Sequence, residues 1–148
     1  MIQINDPSED KMQKELIAQA FEARKNAYVP YSNFKVGAAL LCKDRKIYTG
    51  CNIESASYSP SNCAERTALF KAVSEGERDF DCIAIVGGRA DREVGTVDYC
   101  PPCGVCRQVM MEFCSPQTFK IILARSEEDY RVYTLEELLP FGFGPDNL

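Results

Sequence analysis

Apolar positions recur along the chain with two periods, which predict an alternation of helices and strands. A 3.6-residue apolar stripe predicts a first helix that runs to about Tyr28. Asp6 is a suitable N-cap for this helix, and Pro7 stands in its first turn. Two further stripes predict helices that begin near Cys63 and near Cys103.

Apolar runs around these helices predict five strands. The run from Cys82 to Gly88 has no polar alternation, which is typical of a strand covered on both faces. The predicted strands span Phe34 to Cys42, Ile47 to Asn52, Cys82 to Gly88, Phe119 to Ala124 and, at an edge, Tyr130 to Tyr133. Thr134 is expected to cap a short last helix that Pro140 ends. This order predicts one domain over residues 1–148 with an α/β fold, a three-layer α/β/α sandwich around a mixed five-stranded sheet.

Composition and charge narrow the class of protein and its partners. The chain has 148 residues, 45% hydrophobic and 26% charged, which is typical of one globular domain. Its apolar runs are shorter than the ~20 residues of a membrane span, and no apolar signal region follows Met1. We therefore expect no membrane partner and a cytoplasmic location. The net charge of −5, without a basic stripe, argues against a nucleic acid and favours a small-molecule substrate.

The chain has eight cysteines and no histidine. Without an imidazole it cannot form a Ser-His-Asp or Cys-His nucleophilic arrangement, or a metal site that needs histidine. A disulfide framework is possible, but such frameworks belong mainly to shorter secreted chains. Reduced thiols, some of them metal ligands, are the favoured interpretation. Four cysteines are expected to be packing residues, namely Cys42, Cys51, Cys82 and Cys114.

Three other cysteines lie at or just after predicted helix starts. Cys103 and Cys106 form a C-x-x-C motif, which alone is ambiguous between a redox motif and half a zinc site. Cys63 begins the preceding helix, and both helix starts are expected near the carboxyl ends of neighbouring strands, where α/β sheets form a crevice. Helix N-termini favour thiolates, and three ligands with an open fourth position are typical of a catalytic zinc. Cys100 is the one residue that could close the site.

Glu65 and Arg66 follow Cys63 in the first turn of its helix. A carboxylate there could reach water on a metal without being a ligand, although it could also simply stabilise the helix N-terminus. Three thiolates around Zn²⁺ leave one negative charge in excess, which a hydrogen-bonding Arg66 could offset by reaching back to Cys63 or Cys103. A surface salt bridge is the alternative role of Arg66.

These residues resemble the cytidine deaminase family in its small, homotetrameric form with three cysteine ligands. The matching segments are Tyr31-Ser32-Asn33-Phe34-Lys35-Val36-Gly37-Ala38-Ala39-Leu40, Thr49-Gly50-Cys51-Asn52-Ile53-Glu54, Cys63-Ala64-Glu65-Arg66-Thr67-Ala68, Pro102-Cys103-Gly104-Val105-Cys106-Arg107-Gln108, and Glu137-Leu138-Leu139-Pro140 with Phe143. The resemblance covers residues 12–148. It implies hydrolysis of cytidine and deoxycytidine to uridine and deoxyuridine with release of ammonia, in pyrimidine salvage.

The resemblance also implies roles for the motif residues. One Zn²⁺ per chain would be held by Cys63, Cys103 and Cys106, with water in the fourth position. Glu65 would shuttle protons between that water, the pyrimidine N3 and the leaving amine.

Further residues match the substrate contacts of the family. Asn52 and Glu54 match the residues that hydrogen-bond the ribose hydroxyls, Phe34 and Phe143 match aromatic walls, and the backbone of Ala64 matches a contact to the base. Asn52 and Glu54 belong to a family segment that runs to Tyr58 and whose later residues serve partly across subunits. The other residues of this segment are Ile53, Ser55, Ala56, Ser57 and Tyr58. A homotetramer with active sites completed by neighbouring subunits is therefore implied. A core position for Phe34 and a loop-anchor role for Tyr58 are the alternatives.

Some features depart from the family, and other functions stay open. Ser55 stands where the family usually has Asn, Pro60 interrupts the usually apolar lead into Cys63, and the loop from Ala90 to Tyr99 is long. Alternatives are a blasticidin-type deaminase of another cytosine nucleoside and a non-catalytic module with a structural zinc. A nucleic-acid editing deaminase would share the zinc chemistry, but the net charge and the missing histidine ligand argue against it.

Overall fold

The helices and strands of a computed structural model, which describes residues 1–3 and 5–148, follow the predicted order. The helices are α1 (Pro7–Arg24), α2 (Ala64–Ser74), α3 (Gly104–Phe113) and α4 (Leu135–Leu138), and a 3-10 turn spans Pro145–Asn147. The strands are β1 (Phe34–Cys42), β2 (Ile47–Cys51), β3 (Phe80–Arg89), β4 (Lys120–Ala124) and β5 (Tyr130–Thr134). Among the described helices, none is long and apolar enough to cross a membrane.

The five strands form one mixed sheet in the order β2-β1-β3-β4-β5, with β5 at an edge as predicted. β1 is antiparallel to both β2 and β3, whereas β3 and β4 are parallel. β2 and β3 therefore run in the same direction on either side of β1, and their carboxyl ends lie at the same end of the sheet. The prediction that α2 and α3 follow neighbouring strands was wrong, because β1 separates β2 from β3. Both helices nevertheless begin at that same end of the sheet.

Helices cover both faces of the sheet, which confirms the three-layer α/β/α sandwich. Side chains of β1 alternate between two cores, with Ala38 and Leu40 on one face and Ala39 and Leu41 on the other. The first core includes residues of α2, α3 and α4, and the second is closed by α1. All eight cysteines are free. The four expected packing cysteines are buried, apart from a half-buried Cys51.

The first helix begins as predicted but ends earlier. Asp6 caps it by accepting a hydrogen bond from the backbone of Ser8 at 2.9 Å. The helix ends at Arg24 because Tyr28 pairs with a distant segment instead of continuing the turn. The backbone N–H of Tyr28 donates to Asn52 at 3.0 Å, and its carbonyl accepts from Glu54 at 2.9 Å. This pairing fixes the loop after β2 against the segment before β1.

Candidate active site

The starts of α2 and α3 bring three thiols together. Cys63 is the N-cap of α2 and Cys103 is the N-cap of α3, both with extended backbone. Cys106 follows in the first turn of α3, and its backbone N–H donates to Sγ of Cys103 at 3.5 Å. The N-termini of two helices, which carry partial positive charge, therefore lie beside the three sulfur atoms.

The spacing of the sulfur atoms fits a zinc ion. Sγ of Cys63 lies 3.8 Å from Sγ of Cys103, and the three candidate ligand atoms, with that of Cys106, all lie within 4.8 Å of one another. Tetrahedral ligands at the usual Zn–S distance of about 2.3 Å are separated by about 3.8 Å. Within the described part of the chain, this cluster has no fourth Cys, Asp or Glu ligand. Cys100 lies outside it, and burial raises the pKa of its thiol to about 12.

Glu65 lies beside this cluster in the first turn of α2. Its side chain is 5% exposed, and the thiol of Cys106 donates to its Oε2 at 3.7 Å. Burial raises the pKa of Glu65 to about 7. A carboxyl group with such a pKa can both accept and donate a proton near neutral pH, which suits a general acid and base.

Arg66 contacts the cluster through Cys63. Its Nη2 donates to Sγ of Cys63 at 3.4 Å, and among the described residues its buried Nε has no hydrogen-bond partner. Hydrogen bonds from Cys106 and then from Arg66 lower the pKa of Cys63 to about 5. The contact with Cys63 is one of the two arrangements that the sequence suggested for Arg66, and it brings a positive charge to a group of thiolates.

A cavity of about 160 Å³ opens above Cys63, Cys103 and Glu65. Its other lining residues are Val36, Asn52, Ala64, Cys100 and Pro101. Sequence reasoning did not single out Val36 or Pro101 and considered Cys100 only as a ligand. The volume is below the roughly 300 Å³ of a typical ligand pocket. The cavity of one chain is therefore smaller than a typical small-molecule pocket.

Hydrogen bonds fix the orientations of Asn52, which lines this cavity, and of Glu54, which does not. Oδ1 of Asn52 accepts from the backbone N–H of Val36 at 2.8 Å, and its Nδ2 donates to the carbonyl of Phe34 at 2.8 Å. Because an amide carries two N–H donors, this arrangement leaves one donor of Nδ2 for a ligand. Oε1 of Glu54 accepts from the backbones of Tyr31 and Ser32, each at 3.1 Å. Hydrogen bonds from Ser32 and then Tyr31 lower the pKa of Glu54, which keeps it ionised as an acceptor.

The remaining candidates lie around the cavity or away from it. Phe34 is 38% exposed and lines an adjoining cavity of about 270 Å³ that shares Cys100 with the first. Its exposure argues against the alternative of a core position. The ring of Tyr58, which is exposed, contacts Tyr31 edge-to-face at 5.8 Å, as a loop anchor would. Besides Cys106 and Arg66, the candidates that do not line the 160 Å³ cavity of their own chain are Phe34, Ile53, Glu54, Ser55, Ala56, Ser57, Tyr58 and Phe143.

Comparisons with known proteins find relatives that match most of this chain. The family model for the cytidine and deoxycytidylate deaminase zinc-binding region matches residues 10–122. A cytidine deaminase of Halalkalibacterium halodurans is 53% identical over 133 residues, 90% of this chain and 95% of that protein. A cytidine deaminase of Sporosarcina psychrophila is 50% identical over 135 residues, which are 91% of this chain and 93% of that protein. The crystal structure of cytidine deaminase from Burkholderia pseudomallei has a TM-score of 0.77 at 48% identity and covers 87% of this chain and 97% of that chain.

Proposed function

The chain belongs to the cytidine deaminase family, and from that premise we propose that it converts cytidine and deoxycytidine to uridine and deoxyuridine with release of ammonia. One observation carries the proposal: two of the three clustered thiols, Cys63 and Cys103, line one cavity together with a buried carboxylate, Glu65, that is not one of the cluster. A closed structural zinc site would need a fourth ligand and no such cavity. The arrangement therefore supports an enzyme rather than a module with a structural metal.

We assign Cys63, Cys103 and Cys106 as the ligands of one Zn²⁺ per chain. When bound, zinc supplies a water whose pKa is lowered to about 7 and which can therefore act as a nucleophile at neutral pH. Arg66 and the two helix N-termini offset the charge of the thiolates. Without them, three thiolates would weaken the metal as a Lewis acid.

Glu65 is assigned the proton transfers. Its Oε2 takes a proton from the attacking water and delivers it to N3 of the pyrimidine, which makes C4 more electrophilic. Once the water oxygen has bonded to C4, the same carboxylate takes the proton of that hydroxyl and carries it to the departing amine, so that the C4–N bond breaks, the C4 carbonyl forms and ammonia leaves. The burial of Glu65 and its pKa of about 7 support both directions of transfer.

The substrate contacts are assigned by the same premise. Asn52 donates through Nδ2 to a sugar hydroxyl, and Glu54, held ionised, accepts from another. The backbone of Ala64 contacts the base, and Phe34 forms a wall beside it. This pair of sugar contacts favours a plain ribose or deoxyribose over the substituted sugar of a blasticidin-type substrate.

We further propose a homotetramer in which neighbouring subunits complete each active site. Phe143 is 58% exposed, and Ile53 and Tyr58 are also exposed. None of these three residues lines the cavity of its own chain. A neighbour would supply such residues and exclude water from an otherwise small, open cavity. Sedimentation at assay concentration tests this, and a mass of one chain would refute it.

Turnover measured with and without a chelator tests the function. Loss of the cytidine absorbance band should require about one zinc per chain, stop after removal of zinc and return when zinc is added. Deoxycytidine should react as well, whereas blasticidin S should not compete. Zinc-loaded protein without turnover would contradict the proposal.

We also propose that the protein acts in pyrimidine salvage in the cytoplasm. Its eight free thiols fit that reducing compartment.

A further inference from the structure

Arg24, the last residue of α1, buries its guanidinium among backbone carbonyls. The residue is 8% exposed. Its Nε donates to the carbonyl of Lys35 at 3.0 Å and its Nη1 to that of Arg92 at 3.0 Å. Its Nη2 donates to Gly88 at 3.0 Å and to Arg89 at 2.8 Å. Four hydrogen bonds of good length offset the cost of burying this charge, and each ends on a main-chain oxygen rather than on a carboxylate.

One of these bonds leads directly to the cavity. The carbonyl of Lys35 and the N–H of Val36 belong to the same peptide group. That N–H donates to Oδ1 of Asn52 at 2.8 Å, while Nδ2 of Asn52 donates to the carbonyl of Phe34 at 2.8 Å. A charged donor on the carbonyl polarises the peptide and strengthens its N–H as a donor. The Val36 N–H and the Phe34 carbonyl determine which end of the Asn52 amide accepts and which donates, and Arg24 strengthens the first of these two hydrogen bonds.

The other bonds hold the strands on which this peptide group depends. Gly88 pairs with Lys35 across β1 and β3, at the carboxyl end of β3. The helix reaches these strands because Gly37 lacks a side chain: a Cβ there would lie 2.0 Å from the carbonyl oxygen of Ala20 and 2.6 Å from the nitrogen of Arg24. The guanidinium thus joins α1 to both strands at the edge of the cavity.

We propose that Arg24 is a positioning residue that orients Asn52 toward the sugar of the substrate through the peptide group between Lys35 and Val36. This inference rests on the proposed function, in which Asn52 binds a sugar hydroxyl. A residue that only stabilises the fold would affect all ligands alike. The effect of Arg24 on binding should instead depend on the hydroxyl groups of the ligand.

The test compares two ligands on the zinc-loaded full chain by titration calorimetry, uridine and 2′,3′-dideoxyuridine. Arg24→Gln should raise the dissociation constant of uridine about fivefold to tenfold, as expected for loss of one oriented hydrogen bond. The dissociation constant of 2′,3′-dideoxyuridine should change by less than about twofold, since it lacks the hydroxyls that Asn52 would bind. Lys25→Gln, which removes an equal charge at an exposed site next in the chain, should change neither constant.

A second pair of variants separates positioning from stability. In an Asn52→Ala background, Arg24→Gln should have no further effect on uridine, because the two residues act as one unit. If Arg24→Gln does not fold, Arg24→Lys, which keeps the charge but lacks the fork of donors, takes its place with the same expectation. Equal weakening of both ligands, or additive effects in the double variant, would overturn the proposal. If Asn52→Ala alone changes neither constant, the role of Arg24 falls with the assignment of Asn52, while cytidine turnover stands as a separate result.

Discussion

The thiol of Cys106 lies 3.7 Å from Oε2 of Glu65, so the buried carboxylate borders the cluster of three thiols without belonging to it. The two side chains come from the first turns of different helices, 41 residues apart in the chain. A residue at this place can be changed without removing a ligand. The proton transfers and the metal site can therefore be tested separately.

Glu65→Gln should abolish most of the activity and leave the metal. An amide of the same size fills the site but cannot carry protons, and general acid–base catalysis contributes about 10²–10⁴-fold to rate. We expect kcat to fall by about that factor, with zinc content and thermal stability retained. Cytidine turnover and metal analysis of the same sample measure both. Glu75→Gln, at the exposed end of the same helix, is the control. Normal turnover in the Glu65 variant would refute the mechanism.

Cys103→Ser should lose the metal. A serine hydroxyl is a much poorer zinc ligand than a thiolate, so affinity should fall by more than the roughly 10–100-fold that loss of a ligand's hydrogen-bond partner costs. Zinc per chain after dialysis against a chelator measures this. Cys100→Ala should keep its zinc, because Cys100 lies outside the cluster. Full zinc in the first variant and loss in the second would make Cys100 the ligand instead.

Arg66→Gln should slow the reaction while much of the zinc stays bound. The contact of its Nη2 with Sγ of Cys63 at 3.4 Å offsets thiolate charge, and changes of this kind typically cost about 10–100-fold in affinity or activity. Turnover per bound zinc is the quantity to measure. Arg78→Gln, which removes an equal charge from an exposed position, serves as its control. An unchanged rate per zinc would leave Arg66 with a structural role only.

Local signals made much of the fold predictable. The bounds of β1 were predicted correctly, because an apolar run interrupted only by Lys35 extends from Phe34 to a polar turn after Cys42. The end of α1 was not, since Tyr28 still fits the helical stripe. Its hydrogen bonds go to Asn52 and Glu54, more than twenty residues away, and no local pattern reports such a pairing.

The candidate site, like the fold, was predictable from the sequence only in part. The three thiols and Glu65 were predictable because Cys63 and Cys103 stand at helix starts and Glu65 and Cys106 follow in the first turns. The geometry of the cluster follows from the common direction of β2 and β3. Val36 and Cys100 became visible as cavity walls only in the folded chain. Arg24 reads in the sequence as the basic end of a helix, and its four carbonyl partners are known only from the packing of α1 on the strands.

Thr134→Ala should lower the free energy of unfolding by about 1 kcal/mol. Oγ1 of Thr134 accepts from the backbone N–H of Glu137 at 3.2 Å, and Oε2 of Glu137 accepts from the backbone N–H of Thr134 at 2.8 Å. This reciprocal pair satisfies two donors at the start of α4, and alanine removes one half of it. Urea unfolding measures the loss, and Thr134→Ser, which keeps the hydroxyl, should stay near the wild-type value. Equal stability of the alanine variant would show that α4 does not depend on its cap.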